Sequence, residues 1–431
     1  MSSPANSSPD PEKKAPFDTK TSNGDPENVI GEVGEIDDHE VFKEGANVNF
    51  RTVGWPRATV IFLKIIFATG VLSIPVAMSS LGAVGGALSV LGWGMMNTYT
   101  AMVQGDFRNN HRHCHSIADM AQEVGGLVTK EIAGGLFIIA YVLCSGSGIV
   151  GVSIGLNALS THAACTVWWA FLATMVVSAT ASVRKFHQIG WLTWAGFISI
   201  FAAVLIVVIA VTTRDRPAAA PATGEYDLGF YAVAYPSFAA GMVATCTIFV
   251  SSAGTSAFLP VISEMKNPRD FRRALFLCMS LVTAAYLAFS LVVYRWCGQW
   301  VASPSLGSAG QENTITHWVT WLGLTFGLGA LSFVLAMAIP IFQYLIALTG
   351  SICFAPLAIS LPGWLWIYDH KSWYKGSTLQ QAAFWFHAFL IPLGLFILIG
   401  GTYGVVEEII QAYADGTIGS AFSCADNSGS T

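Results

Sequence analysis

The sequence predicts an all-α polytopic membrane protein, and three observations carry that prediction. Of 431 residues, 53% are hydrophobic and only 11% charged, with a mean hydropathy of +0.56. A soluble chain carries about a quarter charged residues, so there is too little polar side chain here to cover a water-soluble globule. Apolar runs of about 20 residues, the length that crosses a bilayer as a helix, recur along the chain. Lys and Arg gather in alternate connections between them, as topology set by cytoplasmic positive charge requires.

Taken in order, residues 1–50 hold eleven Asp and Glu against four Lys and are rich in Ser and Pro. Such a composition buries too little apolar surface to fold, so a disordered acidic tail is expected. It contains no apolar core of a signal peptide, and the first span serves as the targeting signal. Its Ser and Thr suit phosphorylation, so regulatory partners of the tail are an expectation beside simple solvation. A membrane domain is expected over 51–407, followed by a short tail over 408–431. Spans are read near 58–80, 82–104, 132–157, 164–182, 188–212, 234–260 and 274–297. The run 315–367 is too long for one span and divides near Pro340, and 381–405 is the last, which makes ten.

"DFRNNHRHCHS", "SVRKFHQ" and "EMKNPRDFRR" follow the second, fourth and sixth spans. The N-terminus and these loops are therefore placed in the cytoplasm. The pattern then fails. Ten crossings put "YDHKSWYKG" (368–376) outside despite Lys371 and Lys375, and put inside a tail in which no Lys or Arg follows Lys375. One further crossing between Cys297 and Asp369 repairs both faults.

Two spans are interrupted alike. "FATGVLSIPVA" (67–77) sets Gly70 and Pro75 inside an apolar run, with Thr69 and Ser73 close by. "TIFVSSAGTSAFLPVISEM" (247–265) sets Ser251, Ser252, Gly254, Thr255 and Ser256 in mid-span, followed by Pro260. Gly weakens a helix and Pro removes a backbone donor. Interruptions at corresponding places in two halves point to a transporter with inverted repeats and a site near the midplane. Ordinary small-residue packing with proline kinks is the alternative for either span alone.

"ATGVLSIPVA", a Gly-rich second span and "FLPVISEMKNPRDFRRAL" resemble the amino acid/auxin permease family, most closely its fungal neutral amino acid permeases. "GANVNFRTVGW", "CGQWVASPSLGSAGQ" and "FSCADNSGS" extend the resemblance from about Val41 to the C-terminus. It implies a leucine-transporter-like helix bundle of two inverted five-helix repeats plus an eleventh helix. It also implies uptake of neutral amino acids, usually driven by protons, with sodium as the other coupling ion. Where the family carries an eighth span, Gln311 runs directly into Glu312, so that span is read as missing. By the fold analogy, Thr69, Gly70 and Val71 offer backbone amides to a substrate carboxylate, with Ser73 beside them. Ser251, Ser252, Gly254 and Thr255 offer contacts to its amino group and side chain, and Tyr141 and Ser145 of the third span either close over it or pack against neighbouring helices. A non-transporting sensor, or an inactive splice variant lacking one span, is the alternative.

Lys64 and Glu264 are the candidates for coupling. Lys64 is a charge deep in a span, which must face protein or water, although snorkelling to the interface accounts for it more simply. Glu264, beside Lys266, reads more readily as half of a structural ion pair or as a helix-end charge than as a proton carrier. "HRHCH" (111–115) lacks the spacing of a zinc site. The eight Cys are scattered and read as buried apolar groups; Cys165 and Cys297 fall near span ends placed outside, where a disulfide between them is compatible with the topology. Trp364, Trp366, Trp373 and Tyr374 read as an interfacial belt. No hydrolase, phosphate-loop or dinucleotide motif occurs in a usable context, so no enzyme, cofactor, metal or nucleic-acid partner is expected. The expected partners are substrate and lipid, in the plasma membrane or alternatively the vacuolar membrane.

Overall fold

The computed structural model describes residues 53–67, 69–160, 163–181, 224–300, 329–339 and 342–415, with short helical pieces between 197 and 212. The acidic tail, most of the fifth span, residues 301–328 and the end of the chain lie outside the described residues. What is described is nearly all helical, and the one bridge pairs Val53 with Met265. Five helices are long and apolar enough to cross a membrane: Ile74–Asn110, Ile117–Ile154, Phe238–Ser263, Pro268–Cys297 and Thr378–Ala414.

The first interruption separates helix α1 (Trp55–Ile66) from α2 (Ile74–Asn110), with a 3₁₀ turn, Thr69–Leu72, between them. Pro75 lies in the first turn of α2, where its missing N–H has no intrahelical acceptor to lose. Pro75 thus restarts a helix. α2 is itself interrupted at Gly82, with φ of +78°. A Cβ there would lie 2.7 Å from the Ala234 nitrogen, so both conformation and space demand glycine. The flanking amides of Ala83 and Val84 donate to the carbonyls of Tyr231 and Ala232.

α3 (Ile117–Ser160) is bent at Gly126 and returns through α4 (Thr166–Ala181). The second interruption repeats the first: α5 (Phe238–Ala253), a 3₁₀ turn (Gly254–Phe258), then α6 (Leu259–Ser263) with Pro260 in its first turn. α7 spans Phe271–Cys297. Beyond residue 328 come α8 (Gly329–Ala338) and α9 (Phe342–Thr349), inclined at 118° across the Pro340 region, where the sequence divides the long run. The run then continues through two π-helical turns to α10 (Leu361–Asp369), and α11 (Thr378–Ala414) closes the bundle.

Contacts sort the connections onto two faces. On the first, the Val53 amide donates to the Glu264 carbonyl and the Lys266 amide to the Val53 carbonyl. Asn109 donates to the Pro268 carbonyl, and Arg272 binds Asp106 through two hydrogen bonds of 3.0 and 2.6 Å. On the second, Gly82 meets residues 231–234, and the Gln299 amide donates to the Leu228 carbonyl. Asp369 belongs to the first face, because Asn110 donates to its carboxylate at 2.9 Å and His111 lies 3.7 Å away. The loop charges ask for this placement, whereas ten crossings put the loop on the opposite face.

Three local expectations are corrected. Cys165 is disulfide-bonded, while Cys297 is a free thiol buried in the core, so those two are not paired. Glu264 and Lys266 form no ion pair among the described residues, which leaves Glu264 as the charge at the end of α6; their backbones hold the entry segment at Val53. Trp366 is not part of a lipid-facing belt: it stacks between His370 at 4.2 Å and the buried His387 at 3.8 Å, and Tyr99 reaches the His387 ring at 2.7 Å. Trp364 and Tyr374 are exposed as a belt requires.

Candidate functional site

Breaking a helix frees carbonyls on one side and amides on the other, and within a membrane each needs a partner. The two breaks meet. A Cβ on Gly70 would lie 3.0 Å from Cα, Cβ and Oγ of Ser251, so the first break touches the end of α5 only because residue 70 has no side chain. The Gly70 carbonyl accepts from the Ser73 amide at 3.1 Å, and also from the Ser73 hydroxyl at 2.7 Å and the Ser251 hydroxyl at 3.2 Å. Ser251 also donates to the Thr247 carbonyl, one turn back in its own helix. Val71 and Ser73 are fully buried, and Ile66 faces Gly254, whose Cβ position lies 3.7 Å from the Ile66 Cδ1.

α2 and α7 complete the surround. The Asn97 amide group donates to the Phe249 carbonyl at 3.0 Å and to the Ser252 hydroxyl at 2.8 Å, and its Oδ1 is buried with no hydrogen-bond partner among the described residues. Thr247, Thr255 and Ser256 also bury hydroxyls that have no partner among the described residues. Tyr286 of α7 donates to the carbonyls of Ile66 and Ser251. Below the breaks, Phe62 stacks on Phe258 at 4.2 Å and meets Phe271 edge-on, sealing the space between α1 and the second 3₁₀ turn with apolar rings.

The structure thus brings together Gly70, Val71, Ser73, Ser251, Ser252 and Gly254 with Thr255. The backbone of Thr69 opens the first 3₁₀ turn, where the leading amides have no acceptor within the turn. Tyr141 and Ser145 are not brought in: both are exposed, Tyr141 packs on Phe137 at 4.7 Å, and neither hydrogen-bonds to a break among the described residues. Lys64 lies in the last turn of α1, half-buried and six residues before Gly70. Glu264 lies at the first face beyond α6; burial raises its carboxyl above the usual range, and Arg57 opposes the rise. Sequence reasoning missed Asn97 and Tyr286. Each is a polar group in an otherwise apolar run, and that is the one signal that marked them.

The profile of the family described as "Transmembrane amino acid transporter protein" matches residues 51–316 and 299–407, two pieces that overlap at 299–316. A "Transmembrane transporter" of Gibberella moniliformis is 45% identical, covering 90% of this chain and 91% of the relative. Another "Transmembrane transporter", from Fusarium pseudograminearum, is 42% identical over 92% of each. The "N amino acid transport system protein" of Neurospora crassa is 24% identical, over 92% of this chain and 94% of its own length. The first of these alignments runs over 432 positions while taking in 90% of the 431 residues here. That relative therefore has roughly forty aligned positions without a counterpart, room for one span of about 20 residues and its connections.

Proposed function

This chain belongs to the transmembrane amino acid transporter family, and from that premise we propose that it binds neutral amino acids between its two broken helices. Alternating access around them, coupled to protons, carries the substrate across the membrane. The family makes it a multi-pass membrane transporter protein and not an enzyme. The observation that carries the finer reading is the direct apposition of Gly70 and Ser251. It sets the 3₁₀ turn Thr69–Leu72 against the end of α5, from which the buried hydroxyls of Thr255 and Ser256 follow in the second 3₁₀ turn. An amino acid presents an anion and a cation a few ångströms apart, and a leading set of amides facing oxygens of a second helix answers both. The first face, with Asp369 and the basic loop after the second span, is the cytoplasmic one in this reading.

The chain also lacks one span of the eleven-helix, inverted-repeat bundle, between Gly298 and Gly329. Three observations support this: the family match divides at 299–316, the aligned relative is longer, and Asp369 shares a face with Asn110. The same deficit favours the second reading, a sensor or inactive variant that binds without moving its ligand. Uptake of a labelled neutral amino acid panel in permease-deficient cells, with and without a proton gradient, decides between them when run beside the Gibberella relative at matched surface delivery. Gradient-dependent uptake by this chain establishes a carrier; uptake by the relative alone establishes the second reading.

The topology has its own test. α11 starts on the first face and rises about 1.5 Å per residue over 37 residues, enough to carry its end across. A tag fused after Thr431 is expected to be removed by protease applied to intact cells, which a tail on the far side from the first face allows and a cytoplasmic tail forbids.

A further inference from the structure

The hydroxyl of Tyr286 lies 2.7 Å from the Ile66 carbonyl and 3.2 Å from the Ser251 carbonyl. Ile66 ends α1, and Ser251 lies in the last turn of α5, so both carbonyls are among those left without an intrahelical donor. They belong to different broken helices and converge on one point. Two kinds of group can satisfy such a pair: a cation coordinated by both oxygens, or a donor hydroxyl. A phenol has a single proton, which the two carbonyls share as a three-centre bond.

We infer that Tyr286 is a positioning residue whose hydroxyl occupies the place where a coupling cation would otherwise bridge the two broken helices. The inference rests on the reading of those breaks as the substrate site. Tyr286 is 2% exposed, its ring packs 5.7 Å from that of Phe67, and Ser290 donates to its own carbonyl. Ring and backbone are thus fixed, and a cation between the same two carbonyls would coincide with the phenol oxygen. The shared bond also ties the end of α1 to the end of α5, so the two half-helices shift together. A carrier built this way draws on protons, and neither its stability nor its substrate site responds to sodium.

The test uses the full chain purified in detergent, wild type and Tyr286→Phe. Melting temperature is measured in sodium chloride and in choline chloride, together with binding of radiolabelled leucine and phenylalanine. The wild type is expected to melt and bind identically in the two salts. Tyr286→Phe keeps the ring but leaves two buried carbonyls without a donor. It is expected to melt a few degrees lower and bind about tenfold more weakly, and sodium, not choline, is expected to raise its melting temperature by entering the vacated position.

Sodium stabilisation of the wild type would overturn the assignment by itself, whether or not the variant folds. So would a variant that melts like the wild type, or one that is destabilised yet indifferent to sodium. If neither amino acid binds the wild type while the melting pattern holds, the substrate reading fails and the role of Tyr286 stands.

Discussion

In the first break the carbonyls of Ile66 and Gly70 are engaged by the protein itself. The Gly70 carbonyl takes two hydroxyls, Ser73 and Ser251, and the Ile66 carbonyl takes Tyr286. In the second break, Ser251 and Ser252 are engaged in the same way, but Thr255 and Ser256 in the 3₁₀ turn and Thr247 in the preceding helix keep buried hydroxyls with no partner among the described residues. Two interruptions that look alike in sequence are thus unlike in energy. Burying an unpaired hydroxyl costs about 1–3 kcal/mol, so the second break stores a demand that the first has already met. The difference teaches where a ligand has most to gain: the first break offers its leading amides on carbonyls already held, and the second holds the unanswered hydroxyls.

Four substitutions break or sharpen this contrast. The largest effect is expected from Gly70→Leu, because even a Cβ sits 3.0 Å from the backbone of Ser251. Overpacking of this kind costs about 1–3 kcal/mol and separates the two breaks. Amino acid binding should be lost altogether while the protein still reaches the membrane. Retained affinity in a binding assay on purified protein would remove the site from this position.

Ser251→Ala removes a hydroxyl that donates to both the Gly70 and Thr247 carbonyls. It is expected to destabilise by about 1 kcal/mol, read as a lowered melting temperature. Thr255→Val should do the opposite. Replacing an unpartnered buried hydroxyl by a methyl of similar shape is neutral or slightly stabilising, so the melting temperature should hold or rise while ligand affinity falls severalfold. A Thr255→Val protein that melts markedly lower would show that this hydroxyl is engaged after all, and the contrast between the breaks would vanish.

The smallest effect serves as a control remote from both breaks. Asp119 caps α3, accepting from the Ser116 hydroxyl and from the amides of Ser116 and His115, with Lys130 at 3.7 Å. Burial pushes its carboxyl up, but those hydrogen bonds and the Lys130 ammonium outweigh it and hold the group below the usual range. A carboxyl depressed in the folded state contributes stability above its unfolded pKa of about 4 and loses it as pH falls through the lower folded value. Asp119→Asn should therefore cost under about 1 kcal/mol at neutral pH and nothing at strongly acidic pH, measured by melting across that range.

Much of this was legible in the sequence. Apolar runs mark spans because a bilayer admits a lone segment only as a helix that satisfies its own backbone, and runs of the right length stand at 82–104, 274–297 and 381–405. The breaks were legible for the complementary reason. Gly70 and Pro75, like Gly254 and Pro260, disturb a helix by local chemistry alone, and both prolines lie in the first turn of the helix that follows. Loop charge gave the face of Asp369 correctly, since that rule acts on residues one loop at a time.

Which side chains meet across the bundle was settled only by the tertiary structure. Asn97 is 155 positions from Ser252 and Tyr286 is 220 from Ile66, and no periodicity along one helix encodes a partner on another. For the same reason Tyr141 and Ser145, hydroxyl-bearing residues in the third span, were indistinguishable in sequence from residues that face the breaks. The sequence by itself determined where helices run and where they fail, because those follow from backbone hydrogen bonding within a segment. The packing decided which freed carbonyls find a donor and which hydroxyls wait for one, because that depends on groups brought together from helices far apart in the chain.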